Sequence, residues 1–137
     1  MRWLWKILIM TIIGCIVVLP SHVSADEFTV YSVYKALDLG NPGETPQKDY
    51  YVNMGRTQGI REGSVLDVMR RNPTYDVVAE KLYKDVTFPI AKLKVIHVEP
   101  GASIARLEKM LAVEKTPAIT PRAVMVGDLV KIAGSSD

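Results

Sequence analysis

Tyr50-Tyr51-Val52-Asn53-Met54, then Gly55-Arg56-Thr57-Gln58-Gly59-Ile60-Arg61-Glu62-Gly63, then Ser64-Val65-Leu66-Asp67-Val68-Met69-Arg70 is the stretch that decides how this chain is read. Two runs rich in β-branched and aromatic residues flank a connection punctuated by glycine, which predicts two strands and a turn. Val65, Asp67 and Met69 alternate with Leu66, Val68 and Arg70. One face is mostly apolar and the other mixed, as in a sheet with one side on a core. The glycines at 55, 59 and 63 are four apart, which superficially suggests a phosphate loop. The dinucleotide fingerprint has a different spacing and opens a helix, and the nucleotidase loop requires Gly-Lys-Ser/Thr. Here Gly63-Ser64 enters a strand. Turn geometry is the better explanation, with at least one of these glycines at positive φ.

Working outward, Phe28–Tyr34 reads as the first strand, and Gly40, Asn41, Pro42, Gly43 and Pro46 break any helix between it and Tyr50. Downstream, Asn72-Pro73 closes the strand ending at Arg70. Tyr75, Val78, Leu82 and Val86 follow at spacings of three, four and four, which fits a short helix capped by Asn72 as well as a loop with an irregular strand. Phe88-Pro89 ends that segment. Ile90–Val98 alternates as a strand, with Leu93, Val95 and His97 on one face and Lys92, Lys94, Ile96 and Val98 on the other. Glu99-Pro100-Gly101 forms a turn. Ser103–Leu111 is open between helix and strand, periodicity slightly preferring helix. After a linker from Lys115 to Pro121, Val124–Val126 and Leu129–Ile132 form a final strand bent at Gly127. The expected fold is all-β, or β-rich with one short helix.

The N-terminus specifies an address. Arg2 and Lys6 precede the apolar run Ile7–Leu19, then come Pro20 and the small-residue ending Val23-Ser24-Ala25. This is the order of a secretory signal, and the run is well short of the roughly 20 apolar residues that span a bilayer. Cleavage is expected between Ala25 and Asp26, giving a signal peptide (1–25), one domain (26–133) and a disordered tail (134–137). A minor reading takes Ile12-Ile13-Gly14-Cys15 as a lipoprotein box with Cys15 lipidated, but the apolar residues after Cys15 and the better site downstream argue against it. No stable transmembrane anchor is expected. Lys and Arg number 17 and Asp and Glu 15 in the whole chain. Cleavage removes Arg2, Lys6, Cys15 and His22, leaving a formally neutral chain without cysteine. Such a chain lacks the clustered positive charge of a nucleic-acid binder, and no disulfide holds it.

Chemistry-bearing groups are sparse. His97 is the sole histidine after cleavage, and a metal site would have to be completed by carboxylates alone. Ser64 and Ser103 have no identifiable base, and Lys92 and Lys94 form no serine–lysine motif. No catalytic, cofactor-binding or metal-binding residue is assigned, and no cofactor is expected. Arg56, Arg61, Arg70 and Arg71 bracket the glycine connection. One reading gathers them at one end of the fold to meet a cell-wall carboxylate; the preferred one leaves them solvated among Glu62 and Asp67, whose charge cancels long-range steering. The tyrosines at 31, 34, 50, 51, 75 and 83 suit a sheet as well as an interface.

Gly55-x-x-x-Gly59-Ile60-x-x-Gly63-x-x-Leu66-x-Val68-x-Arg70, with Ala91-x-Leu93-x-Val95-x-x-Val98, Ser103-Ile104-Ala105 and Val126-Gly127-Asp128-x-Val130, resembles the small C-terminal β-barrel of the flagellar assembly T protein family and similar bacterial envelope barrels. The resemblance covers roughly Tyr50 to Ile132. It implies an SH3-like barrel of five or six strands, with Ser103–Glu108 a strand. Gly55, Gly59 and Gly63 would shape one long hairpin, and with Gly127 they are expected to be structural turn residues. It also implies a periplasmic protein of a ring around the flagellar basal body. The functional expectation is a non-enzymatic structural module of the cell envelope with envelope-protein partners. The alternative is a peptidoglycan-binding module, and the third reading is a small carboxylate-dependent hydrolase.

Overall fold

The computed structural model describes residues 27–83, 86–119 and 121–134. The signal segment, the Ala25–Asp26 cleavage site, Cys15 and tail residues 135–137 lie outside them. The fold is all-β, with no α-helix among the described residues. The strands are β1 (Val30–Lys35), β2 (Lys48–Val52), β3 (Val65–Arg71), β4 (Thr74–Asp76), β5 (Lys81–Tyr83), β6 (Thr87–Val98), β7 (Ser103–Met110) and β8 (Leu129–Ile132), with single 3₁₀ turns at Arg56–Gln58 and Val113–Lys115.

Six strands make one antiparallel sheet in the order β1-β2-β7-β6-β3-β8. The sheet curls until its outer strands meet at their first residues. There Thr29 bridges Leu129, Val30 N–H donates to the Asp128 carbonyl at 2.9 Å, and Val30 accepts from Gly127 N–H at 2.8 Å. The result is a small, incompletely closed β-barrel, which shields most strand edges from pairing with other chains. Alternation supplies its core. Val30, Tyr50, Val52, Leu66, Val68, Leu93, Val95, Ala105 and Val130 all point inward and are essentially buried, as the period of two requires.

Several local expectations change. β2 and β3 do not form a hairpin: β2 pairs with β1 and β7, and β3 with β6 and β8. Residues 53–64 therefore cross from one part of the wall to another. Gly55 makes that crossing possible by close approach rather than by turn geometry. A Cβ there would lie 2.3 Å from the Glu99 carbonyl oxygen and 2.6 Å from the Ala102 nitrogen. The crossing instead seats its backbone on the β6–β7 turn, with Arg56 N–H on Glu99 O at 2.9 Å and Thr57 N–H on Pro100 O at 3.0 Å. Gly59, Gly63 and Gly127 have φ of 84°, 84° and 93°. These are left-handed values that favour glycine.

The segment after Pro73 is a hairpin, β4–β5, and not a helix; Tyr75 faces Leu82 across it. Asp76 Oδ1 accepts from Val78 and Ala79 N–H at 2.9 and 3.0 Å, diverting those donors into a turn. Ser103–Met110 is a strand because it pairs on both sides, with β2 and β6, and this tertiary pairing overrides its helix-like period. Phe88-Pro89 lies inside β6. Pro89 is tolerated because the β7 ladder begins only at Ala91 and the β3 ladder is irregular there. A further register shift between Val95 and His97 reverses the alternation, turning His97 out and Val98 in. Val124–Val126 is a turn-bearing loop, so the last strand is Leu129–Ile132 alone.

Candidate functional site

The arginines flanking the glycine connection are not gathered together. β3, seven residues long, separates them by about 20 Å of extended chain. At one end Arg56 and Arg61 line a shallow cleft with Glu62, and Arg56 donates to Val98 O at 3.2 Å. At the other end Arg71 pairs with Glu27, while Arg70 is locked in place. Its Nε and Nη2 meet the two Asp128 oxygens at 2.9 and 2.8 Å, and its remaining donors reach Pro121 O and Ala123 O at 2.9 and 2.6 Å. Asp128 also accepts from Met125 N–H at 2.7 Å. The hydrogen bonds to Asp128 hold the Arg70 guanidinium more firmly protonated than usual. This clamp fixes the segment from Pro121 to Asp128 against β3.

The residues weighed for chemistry stand apart. His97 is exposed and touches Glu99 at 2.9 Å. Ser64 accepts from Arg61 N–H at 3.0 Å and stabilises the turn into β3. The Ser103 hydroxyl is buried with no partner among the described residues, enclosed by the wall strands. Lys92 pairs with Asp67 at 2.5 Å. Asp38 and Glu44 share the cleft of the 36–47 loop, but Asp38 accepts from Gly40 N–H and Glu44 from the Asn41 side chain, so both shape the loop. Among the described residues no three His, Cys, Asp or Glu side chains converge as a metal site, and no helix is long and apolar enough to cross a membrane.

Two other surfaces stand out. The first is the β4–β5 arm, which leaves the wall after Arg71 and returns at Thr87; Asn72 N–H to Val86 O at 2.8 Å marks its base. From Asn72 to Tyr83 every residue except Asp76 is exposed. Tyr75, Val77, Val78, Leu82 and Tyr83 thus present apolar surface to solvent, Val78 almost completely (97 %). Glu80 takes φ of 49° at the tip, a left-handed value uncommon for a residue with a Cβ.

The second is a groove of about 310 Å³ between β2, β7 and the clamped segment. Lys48, Arg106 and Arg122 contribute cations, and Tyr50, Met110 and Val124 contribute apolar surface. Arg106 Nε donates to Asp49 at 2.7 Å, which raises the guanidinium's proton affinity. The Tyr50 ring is only 3 % exposed, and burial holds its phenol neutral by pushing its pKa upward. Sequence reasoning missed this groove because three separated segments build it; the one local signal is that Lys48 and Tyr50 share a strand face.

No family model matches this chain, and neither does any curated protein or solved structure. The two surfaces therefore carry the functional argument by their own chemistry.

Proposed function

We propose that the chain is an exported, non-enzymatic interaction module of the bacterial cell envelope, an SH3-like barrel that works in the periplasm and presents its β4–β5 arm to a protein partner. The arm is the observation that carries this reading. A two-stranded hairpin is marginal in water by itself, and contiguous apolar surface on a small protein is normally covered or used. Here Tyr75 and Leu82 face each other across the arm while remaining 58 % and 48 % exposed. A partner with an apolar groove would bury both, and aromatic side chains of this kind supply much of the energy at protein interfaces. The secretory pattern before Asp26 supports the envelope location. The resemblance of the glycine-turn pattern makes a flagellar basal-body ring the first assembly to examine.

The test is chemical cross-linking in intact cells followed by mass spectrometry of the purified protein, comparing the natural chain with a Tyr75→Ser/Leu82→Ser variant. The expected result is a reproducible envelope-protein adduct that the double variant loses. Recovery of the natural chain solely as an unattached monomer would refute the reading.

A further inference from the structure

We propose that the groove between β2, β7 and the Arg122–Val124 segment binds the terminal carboxylate of a peptide whose last residue is apolar. This site is separate from the arm and does not rest on the arm having a partner.

Charge selects the carboxylate. The Lys48 side chain has no ion-pair or hydrogen-bond partner among the described residues, its backbone being paired with Lys35. Arg122 has given one Nη2 donor to Leu111 O at 2.9 Å and keeps its others. Arg106 shares its fork with Asp49 through Nε. No acidic side chain lines the groove, so Lys48 and Arg122 keep their charge uncompensated while Arg106 is shared with Asp49. Tyr50 adds an independent observation. Tyr50 is 3 % exposed and lines the groove, and no hydrogen bond within the described residues takes up its hydroxyl. A neutral phenol there is a donor for a carboxylate oxygen.

The apolar part of the ligand follows from Met110 and Val124, whose surfaces a phosphate or a sugar would leave uncovered. The volume lies near the lower end of the range for ligand pockets. It therefore suits a chain end more than a whole helix or a long acyl tail. The Arg70–Asp128 clamp serves as the positioning element, since Arg70 holds the carbonyls of Pro121 and Ala123 on either side of Arg122.

The experiment is an NMR titration of the purified protein with N-acetyl-alanyl-leucine carrying a free carboxylate, with its carboxamide, and with octanoate. The acid should move the amides of Arg106–Met110 and Arg122–Val124 in a saturable way. The carboxamide should bind about tenfold more weakly, the loss expected when a hydrogen-bonded charge is removed. Arg122→Gln and Tyr50→Phe should each weaken the acid by about fivefold or more. Tyr50→Phe keeps the buried ring, and Arg122 is exposed, so an unchanged spectrum outside the groove verifies that each variant is folded. Lys94→Gln, on an exposed part of β6, should leave the affinity unchanged. Equal binding of acid and carboxamide, shifts confined to other residues, or full affinity in both groove variants would overturn the proposal. Tighter binding of octanoate at the same amides would overturn the assignment to a peptide.

Discussion

β3 and β6 run side by side in the barrel wall, and β4 and β5 prolong the same two chain directions beyond it, yet the two pairs have opposite fates. In the wall, Leu66 and Val68 of β3 and Leu93 and Val95 of β6 are completely or almost completely buried. In the arm, Tyr75 and Leu82 pair just as directly and stay exposed. Backbone pairing alone therefore does not determine burial. The wall has β7, β8 and a core behind it; the arm has solvent on both faces. Stability resides in the first region, and the contiguous exposed apolar surface lies in the second.

The contrast is broken most severely by removing what holds the wall together. Asp128→Ala leaves the Arg70 guanidinium, only 13 % exposed, without its carboxylate. It should cost about 3 kcal/mol, because the partly buried guanidinium keeps only its bonds to the Pro121 and Ala123 carbonyls. Urea unfolding measures this, and a loss below about 1 kcal/mol would show that the clamp is dispensable. Next comes Gly55→Ala, which drives a Cβ into the Glu99, Pro100 and Ala102 backbone. Because no flexible side chain can give way, about 2–3 kcal/mol should be lost. A neutral result in the same assay would contradict the close packing of the crossing on the β6–β7 turn.

A smaller effect is expected at the exposed pair of Arg71 and Glu27. The hydrogen bond from Arg71 holds the Glu27 carboxyl below its ordinary pKa of 4.5. Its contribution is fully present above the unfolded value and is lost as pH falls through the lower folded value. Between about pH 6 and pH 2.5 the natural chain should thus lose slightly more stability than Glu27→Gln. Parallel unfolding curves across that range would remove the pair from the account. The least effect on stability belongs to the arm: Tyr75→Ser/Leu82→Ser should leave barrel unfolding within about 0.5 kcal/mol. A large loss would mean that the arm is part of the core.

Much of the wall was legible because its signal is local. Alternation in Val65–Arg70 and Ile90–Val95 marks the strands, and the glycines mark where the chain turns or passes close to itself. The β2–β3 connection was misread as a hairpin because partners in a closed sheet are decided by residues far along the chain. β7 takes the place beside β2 that a hairpin would have given to β3. The arm stays open between helix and irregular strand in the sequence because Tyr75, Val78, Leu82 and Val86 recur at helical spacing, whereas the Asp76 side chain closes a turn. The bulge between Val95 and His97 changes which side chains face inward without leaving a mark in composition. The groove was invisible for a similar reason. Lys48, Arg106 and Arg122 become neighbours only after the sheet curls and the clamp seats the last loop.

The proposed docking of a protein partner on the arm is tested most directly by site-specific photo-cross-linking in cells. A photoreactive residue replaces Val78 at the arm tip or, separately, exposed Lys94 on β6. The account predicts a discrete adduct from position 78 and none from position 94. An adduct from position 94 with none from position 78 would contradict it.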